Sequence, residues 1–154
     1  VPDPVLVDVA DGVATITINR PEARNALNRE VRRGLPAAVE ALEADDAVDV
    51  MILTGADPAF SAGVDLKEFG AGHVAGDELR TRAADGVDGP ARDAGSRDGA
   101  GRLPFRGALP PRTKLLIGAV NGVAVTGGLE LALACDFLVA SERARFADTH
   151  ARVG

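Results

Sequence analysis

Tryptophan and tyrosine are both absent from this 154-residue chain, cysteine and methionine occur once each, and histidine occurs twice. Five phenylalanines are the whole aromatic complement, so an aliphatic core is expected. One cysteine, Cys135, cannot build a disulfide framework, and its place inside an aliphatic run reads as a buried, inert thiol. His73 and His150, with that one cysteine, give no zinc-ligand spacing, so no metal site is expected. Basic residues are in deficit: 17 Lys and Arg against 23 Asp and Glu leave a net charge of −6. No basic stripe is there to neutralise phosphates, which argues against a nucleic-acid partner. No apolar run approaches bilayer-spanning length, and no basic segment leading into an apolar one opens the chain. Neither a membrane segment nor a signal peptide is expected, and the location reads as cytoplasmic.

What remains has globular proportions, with 46% hydrophobic and 26% charged residues. A chain of this length makes at most one domain, with room for a real core. Val5–Val9 and Val13–Asn19 alternate as two strands around Asp11-Gly12, a hairpin-type turn. Val31, Leu35, Val39 and Leu42 recur at helical spacing behind Asn28, a natural N-cap. Pro36 falls inside that pattern and is expected to kink the helix or delay its start. Val50–Leu53 is a short continuous apolar run, as in a strand buried on both faces, and 54–58 is turn chemistry. Leu115–Val120, Val123–Val125, Phe137–Ala140 and Arg145–Ala147 read as further strands. Strands alternating with helices predict an α/β architecture. The stretch 70–102 carries only Val74, Leu79 and Val87 as larger aliphatics and cannot bury enough apolar area to offset its ordering entropy. It is expected to be a mobile or partly helical insertion, either merely solvated or setting specificity.

Two segments carry chemistry. In Gly127-Gly128-Leu129-Glu130 a paired glycine opens an apolar helical run. Gly127 lacks a Cβ, so its backbone N–H can approach a ligand closely, and a helix start favours negative charge there. Glu130 follows three residues later on the same face, which sets a potential general base beside a stabiliser of oxyanion charge. The bland alternative is a glycine-eased helix–strand contact with a solvated glutamate. The second segment, Ser61-Ala62-Gly63, is another small-residue turn and presents the N–H of Val64. Two amide donors from two strand-to-helix turns are what a carbonyl-polarising hole requires.

Three blocks, ITINRPEARNALN (16–28), AFSAGVDLKEF (59–69) and AVNGVAVTGGLELALACDFLVASERARFA (119–147), resemble the crotonase family, the enoyl-CoA hydratase/isomerase superfamily. They stand in that family's order and span nearly the whole chain. The resemblance implies a crotonase-like ββα spiral, with 1–154 as the N-terminal part of a single domain. It implies an acyl-CoA thioester substrate, with coenzyme A as part of the substrate and no separate cofactor. Matching residue by residue, the oxyanion donors would be Val64 and Gly127. Ala62 would contact the adenine region, Asp65 and Leu66 would lie along the CoA arm, and Ala23 and Arg24 would sit near the pantetheine and phosphates. Glu130 matches the first of the hydratases' two catalytic carboxylates.

Where the family's second glutamate belongs, this chain has His150. Histidine can move protons near neutrality, and Asp148, two residues earlier, would share its face if the segment is extended. Asp148 would then orient His150 or replace the missing carboxylate. Family members continue well past the position of Gly154, so the spiral is expected to be incomplete on its C-terminal side, as in a truncated chain. The homotrimer, or dimer of trimers, of the full-length family is in doubt here for that reason. The leading reading is an acyl-CoA hydratase or double-bond isomerase, and the alternative is a catalytically impaired paralogue or acyl-CoA-binding remnant. A serine hydrolase built on Ser61 would need a G-x-S-x-G elbow, which is missing.

Overall fold

The computed structural model describes residues 2–65 and 108–148. The expected insertion at 70–102, Leu66 and His150 lie outside the described residues. Strands β1 (Val5–Ala10) and β2 (Val13–Ile18) form an antiparallel hairpin. Its turn holds Asp11 at φ 52° and Gly12 at φ 79°, the paired positive φ of a twist-compatible two-residue turn. A single 3-10 turn (Pro21–Ala23) then leads into α1 (Arg29–Glu43). The Asn28 side chain accepts the Val31 amide at 2.9 Å and caps the helix, as its sequence position predicts.

Pro36 does not delay the start of α1; the helix runs through it from Arg29. A proline inside a helix costs about 3 kcal/mol. Val31, Leu35, Val39 and Leu42 are buried along one stripe on both sides of it, and each such side chain returns about 1.5–3 kcal/mol on burial. Packing outweighs the local penalty.

Two sheets follow. The larger has the order β1-β2-β3-β5-β7, with β3 (Val50–Gly55), β5 (Leu115–Val120) and β7 (Phe137–Ala140) parallel to β2. The smaller is all parallel, in the order β4 (Ala59–Ser61), β6 (Val123–Val125) and β8 (Arg145–Ala147). Each strand of β3, β5 and β7 passes after a short link into its partner β4, β6 or β8, so the chain lays one strand in each sheet per turn. Helix α2 (Gly127–Leu133) follows β6, which completes a β-β-α turn of the spiral that the resemblance implies.

In the large sheet the buried residues are in register. Ala14, Met51 and Leu116 face the core side by side, as do Ile16 and Leu53. Strand β3 is not buried on both faces as its apolar run predicts; buried and half-buried residues alternate along it. The core is aliphatic with Phe60 fully buried, while Phe137 and Phe146 remain about half exposed. Cys135 is buried, as expected, and its thiol donates to Leu131 O at 3.4 Å. Among the described residues no helix is long and apolar enough to cross a membrane.

Candidate functional site

The loop 24–27 and the turn 61–65 are stitched together by backbone. The Ala62 amide donates to Arg24 O at 3.0 Å, the Leu27 amide donates to Gly63 O at 2.7 Å, and Leu27 and Val64 form an isolated parallel bridge. Asn25 is wholly buried at φ 56°, and its side chain accepts the Arg20 amide while donating to Ala56 O and Ala59 O. The Ser61 hydroxyl donates to Asn25 O at 2.8 Å. These bonds hold Ala23, Arg24 and Ala62 together on one side of the turn. Asp65 is buried, and Arg20 Nη1 donates to its carboxylate at 2.9 Å, so its side chain is a strut and only its backbone is open to a ligand role.

The turn packs directly on the junction between β6 and α2. Gly63 stands at φ +81°, and a Cβ there would lie 1.8 Å from Thr126 Oγ1 and 3.1 Å from Gly127 N, so only glycine fits. Thr126 itself sits at φ 48°, ψ −121°. For a β-branched residue that is a strained conformation, of order 1–3 kcal/mol. Its amide donates to Ala147 O at 3.1 Å, and its hydroxyl donates to Val125 O at 2.8 Å.

The first consequence is that two amides converge. A Cβ on Gly127 would lie 3.8 Å from Val64 N, so the two nitrogens are separated by no more than about 6 Å given standard backbone dimensions. Two donors that close can share one acceptor at about 3 Å from each. Neither amide donates to another described residue. Helix α2 is only seven residues long, so its dipole is a lesser contributor than the sequence suggests, and the bare amides are the stronger feature. The demand for glycine also shifts by one position. A Cβ at Gly128 would come 2.2 Å from Ser61 O, whereas at Gly127 it would chiefly meet the Leu27 side chain at 3.1 Å.

Both amide-bearing residues line a cavity of about 140 Å³, and Glu130 lines it with them. Glu130 belongs to the first turn of α2, where its amide donates to Thr126 O at 3.0 Å. Its side chain is exposed, and among the described residues no ion pair engages it. The remaining walls are apolar residues of α1 and α2 together with Leu27 and Ala108, with Arg32 beside them. Val64, Gly127 and Glu130 are therefore brought together. Leu66 and His150 lie outside the described residues. Asp148, exposed, directly follows β8, whose last carbonyl is the acceptor for the Thr126 amide. Among the described residues no group of His, Cys, Asp and Glu has the arrangement of a metal site.

Sequence reasoning missed Asn25, Arg20 and Arg32. Asn25 and Arg20 sit inside the recognised RPEARN block, but nothing local marks one as a hub and the other as a clamp. Arg32 borders the apolar stripe of α1, and its spacing of four from Pro36 is the only signal that the two share a wall.

Comparison with known proteins gives one family. The family model described as "Enoyl-CoA hydratase/isomerase" matches residues 8–86 and 108–154. A probable enoyl-CoA hydratase of Rhizobium meliloti is 39% identical over 153 residues, covering 97% of this chain and 51% of that protein. A 1,2-epoxyphenylacetyl-CoA isomerase of Escherichia coli is 35% identical over 150 residues, with 97% and 52% covered. The crystal structure of an enoyl-CoA hydratase from Mycobacterium tuberculosis H37Rv superposes with a TM-score of 0.73 at 47% identity, covering 99% of this chain and 53% of that one. The chain spans about half the length of the curated relatives it matches.

Proposed function

This chain belongs to the enoyl-CoA hydratase/isomerase family, and on that premise we propose that it acts on an acyl-CoA thioester as a hydratase or double-bond isomerase. The thioester carbonyl oxygen accepts hydrogen bonds from the amides of Val64 and Gly127, and Glu130 moves the proton. The observation that carries this reading is the meeting of these two amides and that carboxylate around one cavity.

Removing a proton from the thioester's α-carbon, or adding water at the β-carbon of a conjugated enoyl thioester, drives electron density onto the carbonyl oxygen as an enolate forms. Amides fixed by the Gly63–Thr126 contact need no reorientation as that charge grows, and each such donor is worth about 3 kcal/mol in a transition state. Glu130 sits one helical turn from the Gly127 amide, within reach of carbons next to the carbonyl. In an isomerase it takes a proton from one carbon and returns it to another. In a hydratase it activates water, and His150 or Asp148 supplies the second proton-transfer group. One carboxylate suffices for the first route, which keeps isomerase and hydratase side by side. Ala23, Arg24, Ala62, Asp65 and Leu66 line the path of the CoA arm in this reading.

The test follows loss of the conjugated thioester of crotonyl-CoA and, separately, conversion of a 3-enoyl-CoA to its 2-enoyl isomer. Turnover of at least one is expected, with Glu130→Gln lowering it by about 10²–10⁴-fold. Saturable thioester binding without turnover of either substrate would select the acyl-CoA-binding alternative. Undiminished turnover in Glu130→Gln would make the carboxylate structural.

A further inference from the structure

Arg32 lies on the second turn of α1, one residue beyond Val31, and lines the same cavity as Val64, Gly127 and Glu130. Its Nε is buried and has no hydrogen-bond partner. Three other arginines are paired: Arg20 with Asp65, Arg112 with Asp136 and Arg143 with Asp57. No such ion pair to a described residue engages Arg32, although Glu130 shares its cavity. The neighbouring walls are Leu27, Val31, Leu35 and Leu131. For a plain aliphatic acyl chain, an apolar residue at position 32 would complete that lining without burying an unmatched donor.

We propose that Arg32 is a specificity-determining residue that recognises a carboxylate on the acyl chain, so that the substrates are acyl-CoA thioesters bearing a free carboxyl group. The inference rests on the acyl-CoA reading of the site. A carboxylate suits the guanidinium because two parallel N–H···O bonds match its planar fork, a geometry lysine cannot reproduce. The charge also answers a local problem: Glu130 repels an anion entering the cavity, and Arg32 offsets that repulsion from the opposite element.

The experiment measures binding of two non-reacting thioesters to the full chain by titration calorimetry. Glutaryl-CoA carries the terminal carboxylate, and pentanoyl-CoA has the same chain length without it. The wild-type chain is expected to bind glutaryl-CoA at least about tenfold more tightly, and Arg32→Met is expected to abolish that preference, lowering the ratio by about tenfold or more. Arg32→Lys should retain part of the preference, since charge survives while the fork is lost. Equal or weaker wild-type binding of glutaryl-CoA, with pentanoyl-CoA bound, overturns the role of Arg32 and leaves the acyl-CoA reading standing. Binding of neither thioester overturns both. An equal loss on both ligands in Arg32→Met also overturns the inference and assigns Arg32 to holding the cavity wall. Should Arg32→Met fail to fold, the wild-type pair of affinities and Arg32→Lys decide the matter.

Discussion

Two neighbouring glycines separate packing from chemistry. Gly128 presses on Ser61 O so closely that a Cβ, at 2.2 Å, would have to displace backbone. Gly128→Ala is therefore expected to cost about 3 kcal/mol of stability, at the upper end for overpacking, read as a lower denaturant midpoint. Gly127→Ala meets mainly the movable end of Leu27, and alanine is the better helix former, so a change within about 1 kcal/mol is expected. Its new methyl would nevertheless stand 3.8 Å from Val64 N, in the space between the amides, and turnover should fall about 10²-fold. Equal behaviour of the two variants would contradict this division. The sequence marks the Gly-Gly pair and the Glu130 register, because helical spacing alone puts 127 and 130 on one face. It does not say which glycine is sterically required, since that depends on Ser61, which arrives on the neighbouring strand β4, more than sixty residues earlier in the chain.

Elements were legible where their own residues decide them. The β1–β2 turn, the Asn28 cap and strands β5 to β8 follow from local pattern, and their ranges agree closely with the sequence reading. The delayed start expected at Pro36 does not occur, because the stripe that overrides it gains its energy from tertiary packing, chiefly against β1 and β2, which local pattern does not show. The far end of α1 is likewise fixed by a distant partner. The Glu43 carboxylate accepts the Thr113 amide at 2.7 Å, the Thr113 hydroxyl and the Lys114 amide at 3.1 Å, while Lys114 Nζ caps Leu42 O at 2.8 Å. Burial alone would raise the Glu43 pKa; the Thr113 side chain and amide, the Lys114 amide and the Lys114 charge outweigh it and hold the carboxyl below its ordinary value. A depressed carboxyl stabilises the fold fully above the unfolded value, about pH 4.3 for glutamate, and loses that contribution as pH falls through the folded value. Glu43→Gln is thus expected to be less stable than the parent at neutral pH, with the two unfolding curves converging in acid. A gap that stays constant from pH 7 down to pH 3 would refute the staple.

The two sheets meet at the link between β3 and β4, and the loop around Asn25 holds that meeting point in place. Its one side chain joins its own loop, through the Arg20 amide, to both ends of the distant β3–β4 link, through Ala56 O after β3 and Ala59 O in β4. From there the Ser61–Asn25 and Ala62–Arg24 bonds carry the position of the loop to Gly63, and Gly63 carries it to Thr126 and α2. The distance between the Val64 and Gly127 amides is therefore a property of how the sheets are coupled, which is why motif order could name the donors but not show that they converge. Removing the hub should act on both. Asn25→Ala leaves the part-buried Arg20 amide and Ala56 carbonyl without this partner and Ala59 O with only Asn121 Nδ2 at 3.4 Å; each group left unpaired costs about 1–3 kcal/mol, and the change places a less permissive residue at φ 56°. A loss of about 3 kcal/mol or more is expected in denaturant unfolding, with cavity binding weakened in whatever fraction remains folded. Arg24→Ala, one residue earlier but exposed and acting through its backbone carbonyl, should change stability by no more than about 0.5 kcal/mol. If the two variants destabilised the chain equally, the loop would be held by its backbone alone, and Asn25 would not be the coupling between the sheets.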